Sequence, residues 1–323
     1  MNSRFIDNWI RTLLAERPLR ANSLIITVYG DSIAPHGGTV WLGSFIRLVE
    51  LLGLNPRMVR TAVFRLTRDG WFSARPIGRR SYYSLTSAGR RRFEHAFRRI
   101  YQAPPRDWNG DWQIVLTSCG ELAAEERNAL RKDLLWEGFG TIAPGVLAHP
   151  SADLASLTDI LQANGVAERV VAFRARSLAE IAARPLQALV HECWNLEGIA
   201  AHYADFIERF RPVQRSLARP AALDPQQCFV VQTLLLHEFR RVLLRDPQLP
   251  AQLLPRDWPG IEARALCREL YLVTHRPVER HLAAVLETPE GPLPQAAPYF
   301  YERFGGLDTR ATAGQAATAV LAQ

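Results

Sequence analysis

The 323-residue sequence predicts an α+β fold built in three successive parts. Three observations carry that reading. Apolar residues recur at helical spacing through the first and last thirds of the chain, whereas β-type apolar runs alternate with helical ones in the middle. Proline-rich joints near Ala103-Pro104-Pro105 and Arg184-Pro185 separate the parts. The boundaries are drawn at 1–105, 106–184 and 185–304, followed by an Ala/Thr/Gly-rich tail, 305–323.

Composition narrows the classes. With 48% hydrophobic residues the chain can bury a large core. No apolar run reaches the ~20 residues that span a bilayer, so no membrane partner is expected. Asp7 and Glu16 interrupt the N-terminal apolar stretch where a secretory signal needs an unbroken one, so a cytoplasmic location is expected. None of Cys119, Cys193, Cys228 and Cys267 lies within four residues of another, which predicts buried free thiols rather than a metal or redox pair. Charge is placed unevenly. Residues 1–101 hold 17 arginines against six acidic residues, while the rest of the chain is mildly acidic. A basic head on an acidic body points to a polyanionic partner for the head alone.

In the first part, Phe5, Ile6, Trp9, Ile10, Leu13 and Leu14 mark an amphipathic helix. A second helix starts near Ala21-Asn22-Ser23, includes Leu24, Ile25 and Val28, and stops before the turn at Pro35-His36-Gly37-Gly38. Val40-Trp41-Leu42 reads as a short strand, and Phe45, Leu48, Val49, Leu51 and Leu52 line a third helix ending at Gly53. Asn55-Pro56 is an N-cap with proline at the first helical position. The helix that follows, Pro56 to Asp69, turns Val59, Ala62, Val63 and Leu66 inward and leaves Arg57, Arg60, Thr61, Phe64, Arg65 and Arg68 outside. Strands at Trp71–Ala74 and Ser81–Leu85 flank a turn, Arg75 to Arg80, that carries Arg75, Arg79 and Arg80. A helix from Ser87 to Tyr101 closes the part.

Helix, short turn, basic helix and basic hairpin is the order of a winged helix-turn-helix. A recognition helix needs an apolar face to dock and long donors opposite it to reach base edges and phosphates. The wing needs cations at its tip to touch the backbone. Over Asn55–Arg80 there are seven arginines and one acid, unlike the mixed-sign surface that solubility alone requires. Asn55, Arg57, Arg60, Thr61, Arg65, Arg68, Arg75, Arg79 and Arg80 are therefore expected to contact double-stranded DNA.

The middle part reads β-α-β-β-α-β: Trp112–Ser118, Glu121–Gly138 with Leu130, Leu134 and Leu135 inward, Thr141–Ala143, Val146–Ala148, Asp153–Asn164 and Arg169–Arg176. That order fits a ferredoxin-like domain used for packing and dimerisation. A metal-dependent nuclease would need carboxylates projecting from the first strand, and only Asp111 stands at its entry. The third part predicts helices at Leu186–Phe210, Pro225–Arg245 and Gly260–Leu286.

No catalytic, cofactor or metal motif survives scrutiny. His237-Glu238-Phe239-Arg240-Arg241 begins like HExxH but ends in Arg241, so the second imidazole is missing. His191-Glu192-Cys193-Trp194-Asn195 fails in the same way. No GxSxG, P-loop or GxGxxG occurs.

Several long motifs carry a family resemblance. Gly30-Asp31-Ser32-Ile33-Ala34-Pro35, Gly37-Gly38 with Trp41-Leu42-Gly43-Ser44, Val59 to Leu66, Ile77 to Tyr83, Leu243 to Pro250 and Leu254 to Gly260 resemble the PaaX family across residues 3–304. The resemblance implies a repressor of phenylacetate catabolism genes, relieved by phenylacetyl-coenzyme A, and a helix-turn-helix that reads two half-sites is expected to act as a homodimer. It also implies a winged helix, a middle domain similar to a CRISPR-adaptation nuclease subunit, and a helical C-terminal domain. An acyl-coenzyme A effector calls for clustered cations beside an aromatic-lined slot. Arg240, Arg241 and Arg245 with Trp194, Tyr203, His237 and Phe239 are the expected set, although cations at this helix end serve equally to complement its dipole. The rival readings are a nuclease on the middle domain and an architectural DNA-binding protein without an effector.

Overall fold

A computed structural model describes residues 2–17, 19–102, 108–118, 120–181, 184–217 and 223–307. Cys119, the joint at 103–107 and the tail beyond 307 lie outside the described residues. The fold is α+β. The first hundred residues form α1 (Asn2–Glu16), α2 (Ala21–Val28), β1 (Thr39–Trp41), α3 (Leu42–Glu50), α4 (Pro56–Arg68), β2 (Phe72–Ile77), β3 (Arg80–Leu85) and α5 (Ser87–Tyr101). Then come β4 (Asp111–Leu116), α6 (Ala124–Glu137), β5 (Gly140–Ala143), β6 (Val146–His149), α7 (Leu154–Ala163) and β7 (Val171–Arg176). The remainder holds α8 (Leu186–Cys193), α9 (Leu196–Leu217), α10 (Pro225–Leu243), α11 (Pro259–Val285), β8 (Glu287–Thr288), β9 (Gly291–Pro292) and α12 (Pro298–Tyr301). Among the described residues no helix is long and apolar enough to cross a membrane.

Three sequence expectations are corrected. The helix expected over Leu186–Phe210 is two helices, because Trp194 is extended (φ −127°, ψ 136°) and Asn195 starts the second by accepting the Gly198 N–H at 3.0 Å. The expected three-arginine turn is a two-residue hairpin. β2 and β3 run on through Arg75 and Arg80, leaving Gly78 and Arg79 at the tip. Gly78 alone of that pair has positive φ (58°), as a II′ turn requires. Pro76 is tolerated within β2 because the sheet order β1-β3-β2 puts that strand at an edge. Leu135, expected inward, is 41% exposed, while Leu130 and Leu134 are fully buried. The β8–β9 hairpin and α12 carry no periodic pattern and were not anticipated.

The chain divides into two compact units, and the division falls inside α9, α10 and α11. One unit gathers residues 1–103, 207–239 and 264–323. Its apolar core includes Leu24, Ile25, Val28, Phe45, Leu48, Val49 and Phe72, with Tyr29 packed 4.2 Å from the Phe72 ring and 5.0 Å from Phe45. Each such side chain contributes about 1.5–3 kcal/mol through burial. Where α2 ends, the backbone widens into a π-helical turn, Tyr29–Ile33, that holds Asp31 at 4% exposure.

Asp31 is the centre of a buried polar cluster. Arg303, 0% exposed, donates from Nη1 to Asp31 Oδ1 at 2.8 Å. The hydroxyls of Tyr101 and Tyr271 donate to the same oxygen at 2.7 and 2.9 Å, and Gln232 Nε2 donates to Oδ2 at 3.0 Å. Thr274 in turn donates to Gln232 Oε1 at 2.9 Å. The Arg303 guanidinium lies 4.3 Å over Tyr101 and 4.6 Å over Phe300. Burial pushes both tyrosine hydroxyls well above their usual range, an effect that Arg303 opposes and Asp31 reinforces, so both remain proton donors to the carboxylate. Phe304, the next residue, is held in the left-handed region at φ 54°, ψ 27°.

The other unit gathers residues 104–206 and 240–263. Its four-stranded antiparallel sheet has the order β5-β6-β4-β7. Val115, Leu130, Leu134, Phe139, Leu147, Leu157 and Val166 form the core beneath it. Gly140 on β5 is required by close approach, because a Cβ there would stand 2.5 Å from the Trp194 ring. Asp111 accepts from Arg176 Nε at 2.5 Å, and that hydrogen bond, ahead of the opposing pull of burial, holds its carboxyl below the usual range. The one carboxylate at the β4 entry is thus already committed to a cation.

Candidate nucleic-acid interface

α4 is built from its first residue. Asn55 Oδ1 accepts the Met58 N–H at 2.9 Å, and Pro56 presets the first helical φ. Val59, Ala62, Val63 and Leu66 are all at most 2% exposed, so one face is locked into the core. Arg57, Arg60, Thr61, Arg65 and Arg68 are exposed on the rest of the cylinder, and Phe64 among them is 68% exposed. Arg68 lies 3.8 Å from Asp69. Arg57, Arg60 and Arg65 form no ion pair with a described residue. A rigid helix thus presents three uncommitted guanidinium groups to solvent.

The hairpin extends this surface. Arg75 is exposed opposite Tyr82, and Arg79 is exposed at the tip. Arg80 is exposed but engaged. Its guanidinium lies 4.2 Å over the Trp41 ring and donates to Glu287 Oε2 at 2.6 Å. Arg47 flanks the same ring at 5.1 Å and donates to Glu287 Oε1 at 3.0 Å. Partial burial pushes the Glu287 carboxyl up, but the hydrogen bonds from Arg47 and Arg80 outweigh it and leave it below the usual range. Trp41, Arg47 and Glu287 escape sequence reasoning because the acid lies 207 residues from Arg80. Only Gly43 hints at the clamp, since a Cβ there would meet the Trp41 ring at 2.3 Å.

The residues expected around an effector are distributed differently. Trp194 is 8% exposed and donates its indole N–H to the Gly138 carbonyl at 2.8 Å. Tyr203 is 2% exposed and donates to Asp246 Oδ2 at 2.5 Å. Arg240 is half-buried, Arg241 is exposed, and exposed Arg245 contacts His202 Nε2 at 2.6 Å. These five belong to one unit, whereas His237 and Phe239 belong to the other. His237 Nδ1 lies 3.1 Å from Thr27 Oγ1, and fully buried Phe239 has the Arg264 guanidinium 5.7 Å over its ring. Both tryptophan and tyrosine polar atoms are thus engaged with the protein itself. Of the cysteines described, Cys228 and Cys267 are buried free thiols, with Cys228 pushed up to about 12 by burial, and Cys193 is half-buried and free.

Comparison with known proteins agrees along the chain. The family model for PaaX-like protein matches residues 20–89, the PaaX protein central Cas2-like domain matches 105–189, and the PaaX-like protein C-terminal domain matches 194–284. The transcriptional repressor PaaX of Escherichia coli (strain K12) is 40% identical over 304 residues, covering 94% of this chain and 96% of that relative. An uncharacterized protein of Mycobacterium tuberculosis with a solved structure is 27% identical, with a TM-score of 0.48 over 80% of this chain and 96% of the other. From the three successive family matches and the near full-length identity to a relative, the chain belongs to the PaaX family.

Proposed function

We propose that the chain is a cytoplasmic transcriptional repressor of phenylacetate catabolism genes that binds double-stranded operator DNA and is released by phenylacetyl-coenzyme A. The observation that carries the DNA reading is α4, with its apolar face buried and Arg57, Arg60 and Arg65 exposed without ion-pair partners among the described residues. In this reading residues 1–105 are a winged helix-turn-helix, α4 enters the major groove, and the β2–β3 hairpin is the wing that meets the backbone. Asn55, Arg57, Arg60, Thr61, Arg65, Arg68, Arg75 and Arg79 make the contacts, and Arg80 joins them when Glu287 releases it. The Escherichia coli relative is named a transcriptional repressor, which supports the same reading.

The sheet order β5-β6-β4-β7, with α6 and α7 in the connections, supports a ferredoxin-like domain over residues 106–184. That domain serves to dimerise the protein. A single recognition helix covers one half-site, and two copies spaced about 34–36 Å apart read a palindrome. Sedimentation of the complex then counts two protomers per operator, and one protomer would contradict the dimer. Residues 185–304 supply effector contacts.

Fluorescence anisotropy on a duplex from a phenylacetate-gene promoter tests the interface. Arg60→Ala is expected to cost ~1–3 kcal/mol on the specific site and little on random DNA. Arg79→Ala should weaken every sequence about equally, since a wing cation reads only phosphate. Glu287→Gln should have the opposite sign, strengthening binding to any sequence by freeing Arg47 and Arg80. Unchanged affinity in both arginine variants would remove α4 and the hairpin from the interface.

A further inference from the structure

The unit that carries α4 also contains a cavity of about 900 Å³. It is bounded by the end of α9, by Leu223 ahead of α10, by the middle of α11 and by Leu307. That volume lies in the range of sites for cofactor-sized ligands, roughly 300–1,000 Å³. Its lining has a distinct division of chemistry. Arg215, Arg268, Arg276 and Arg280 supply four cations against one acid, Glu269. Leu217, Leu223, Leu272 and Val273 supply an apolar wall.

Two of the cations, Arg276 and Arg280, stand one turn apart on α11, a spacing at which like charges repel. Glu269, the one acid among these lining residues, accepts from the Gln214 amide. Arg268 spends its Nε–H on the Phe304 carbonyl at 3.0 Å, which leaves its terminal nitrogens directed elsewhere. Neither Arg215 nor Arg280 forms an ion pair with a described residue. Pro277, also in the lining, has no N–H to return to the Val273 carbonyl one turn earlier. That leaves a backbone acceptor in the same wall.

We propose that this cavity binds an organic polyphosphate with an apolar arm. The phosphates lie among Arg215, Arg276 and Arg280, the arm packs against Leu217, Leu223 and Leu272, and the Val273 carbonyl accepts a ligand N–H or O–H. The proposal rests on the reading of the chain as responsive to phenylacetyl-coenzyme A, and it moves the phosphate contacts away from Arg240 and Arg241. Guanidinium groups suit phosphate because each offers a planar fork of donors.

Isothermal titration of the full chain with phenylacetyl-coenzyme A, coenzyme A, ATP and phenylacetate tests the site, with thermal melting as the check on folding. Phenylacetyl-coenzyme A is expected to bind most tightly, coenzyme A and ATP more weakly, and phenylacetate least. R276A/R280A should weaken both coenzyme A species by about tenfold or more, as the loss of charge-assisted hydrogen bonds requires. R215Q, at an exposed position, gives the same sign if the double variant fails to fold. L223N should erase the preference for phenylacetyl-coenzyme A over coenzyme A while leaving ATP unaffected. R240A/R241A should bind normally. Undiminished binding in folded R276A/R280A and R215Q, or loss confined to R240A/R241A, would overturn this site and leave the effector reading intact. Failure of the wild-type chain to bind any of the polyphosphates would overturn both the site and the effector, and the promoter-binding measurement would still judge the DNA reading by itself.

Discussion

Replacing Arg303 with leucine should destabilise the protein by about 3–5 kcal/mol, the usual cost of leaving one partner of a buried ion pair without its mate. Arg303 is 0% exposed and Asp31 is 4% exposed, so no water can take over the lost interaction cheaply. Tyr101, Tyr271 and Gln232 still donate to Asp31, but none of them neutralises it. The variant also loses the cation stacked 4.3 Å over Tyr101 and 4.6 Å over Phe300. Arg303→Lys should fall between the two, because an ammonium keeps the charge but not the planar stacking. Adding Asp31→Asn to Arg303→Leu should recover part of the loss, since it removes the orphaned charge. Urea unfolding followed by tryptophan fluorescence measures all four proteins. A cost below about 1 kcal/mol for Arg303→Leu would mean that the cluster is hydrated or rearranges, and would refute this account.

The second large effect is electrostatic. α4 and the hairpin expose seven arginines per chain, Arg57, Arg60, Arg65, Arg68, Arg75, Arg79 and Arg80, and a dimer doubles them. Each phosphate neutralised releases counterions, so binding should fall steeply with salt. With six to ten phosphate contacts the affinity should drop about 10³–10⁵-fold between ~50 and ~200 mM salt. Anisotropy titrations at four salt concentrations give the slope of log affinity on log salt. Arg79→Ala should make that slope shallower by about one per protomer. A slope shallower than about −3 would not fit a surface of this charge, and would move the contact from phosphates to groove edges alone.

Much of this architecture was legible because it rests on local rules. Asn55-Pro56 marked the start of α4, and the spacing of Val59, Ala62, Val63 and Leu66 marked its buried face. The βαββαβ order was readable from alternating periodicities, and the observed strands differ mainly at their ends. What failed depended on partners distant in sequence. The helical pattern over Leu186–Phe210 continues through Trp194, yet the Gly138 carbonyl, 56 residues away, takes its indole N–H and the chain is extended there. Leu135 fits an inward stripe, but Leu130 and Leu134 fill the available core. The arginines of the hairpin were found by composition, whereas the separation of Arg79 from Arg80 depends on Trp41 and Glu287. The aromatic residues expected around an effector, Trp194, Tyr203 and Phe239, are buried, which residue type alone does not reveal. The arginines of α11 drew no notice in the sequence, because spacing along one helix says nothing about the hollow beside it.

The Arg303–Asp31 pair also bears on the order in which the chain is finished. The two residues are 272 positions apart, so closing that contact requires everything between them to have been made. On the ribosome, residues 1–103 emerge well before residue 303, so their buried carboxylate lacks this counter-cation until Arg303 has been synthesised. Tyr271, Gln232 and Thr274, its other supports, also arrive late. The segment that bears α4 is thus made early and completed late, and a chain released before residue 303 would carry every exposed arginine of α4 and the hairpin on a unit whose interior is still open.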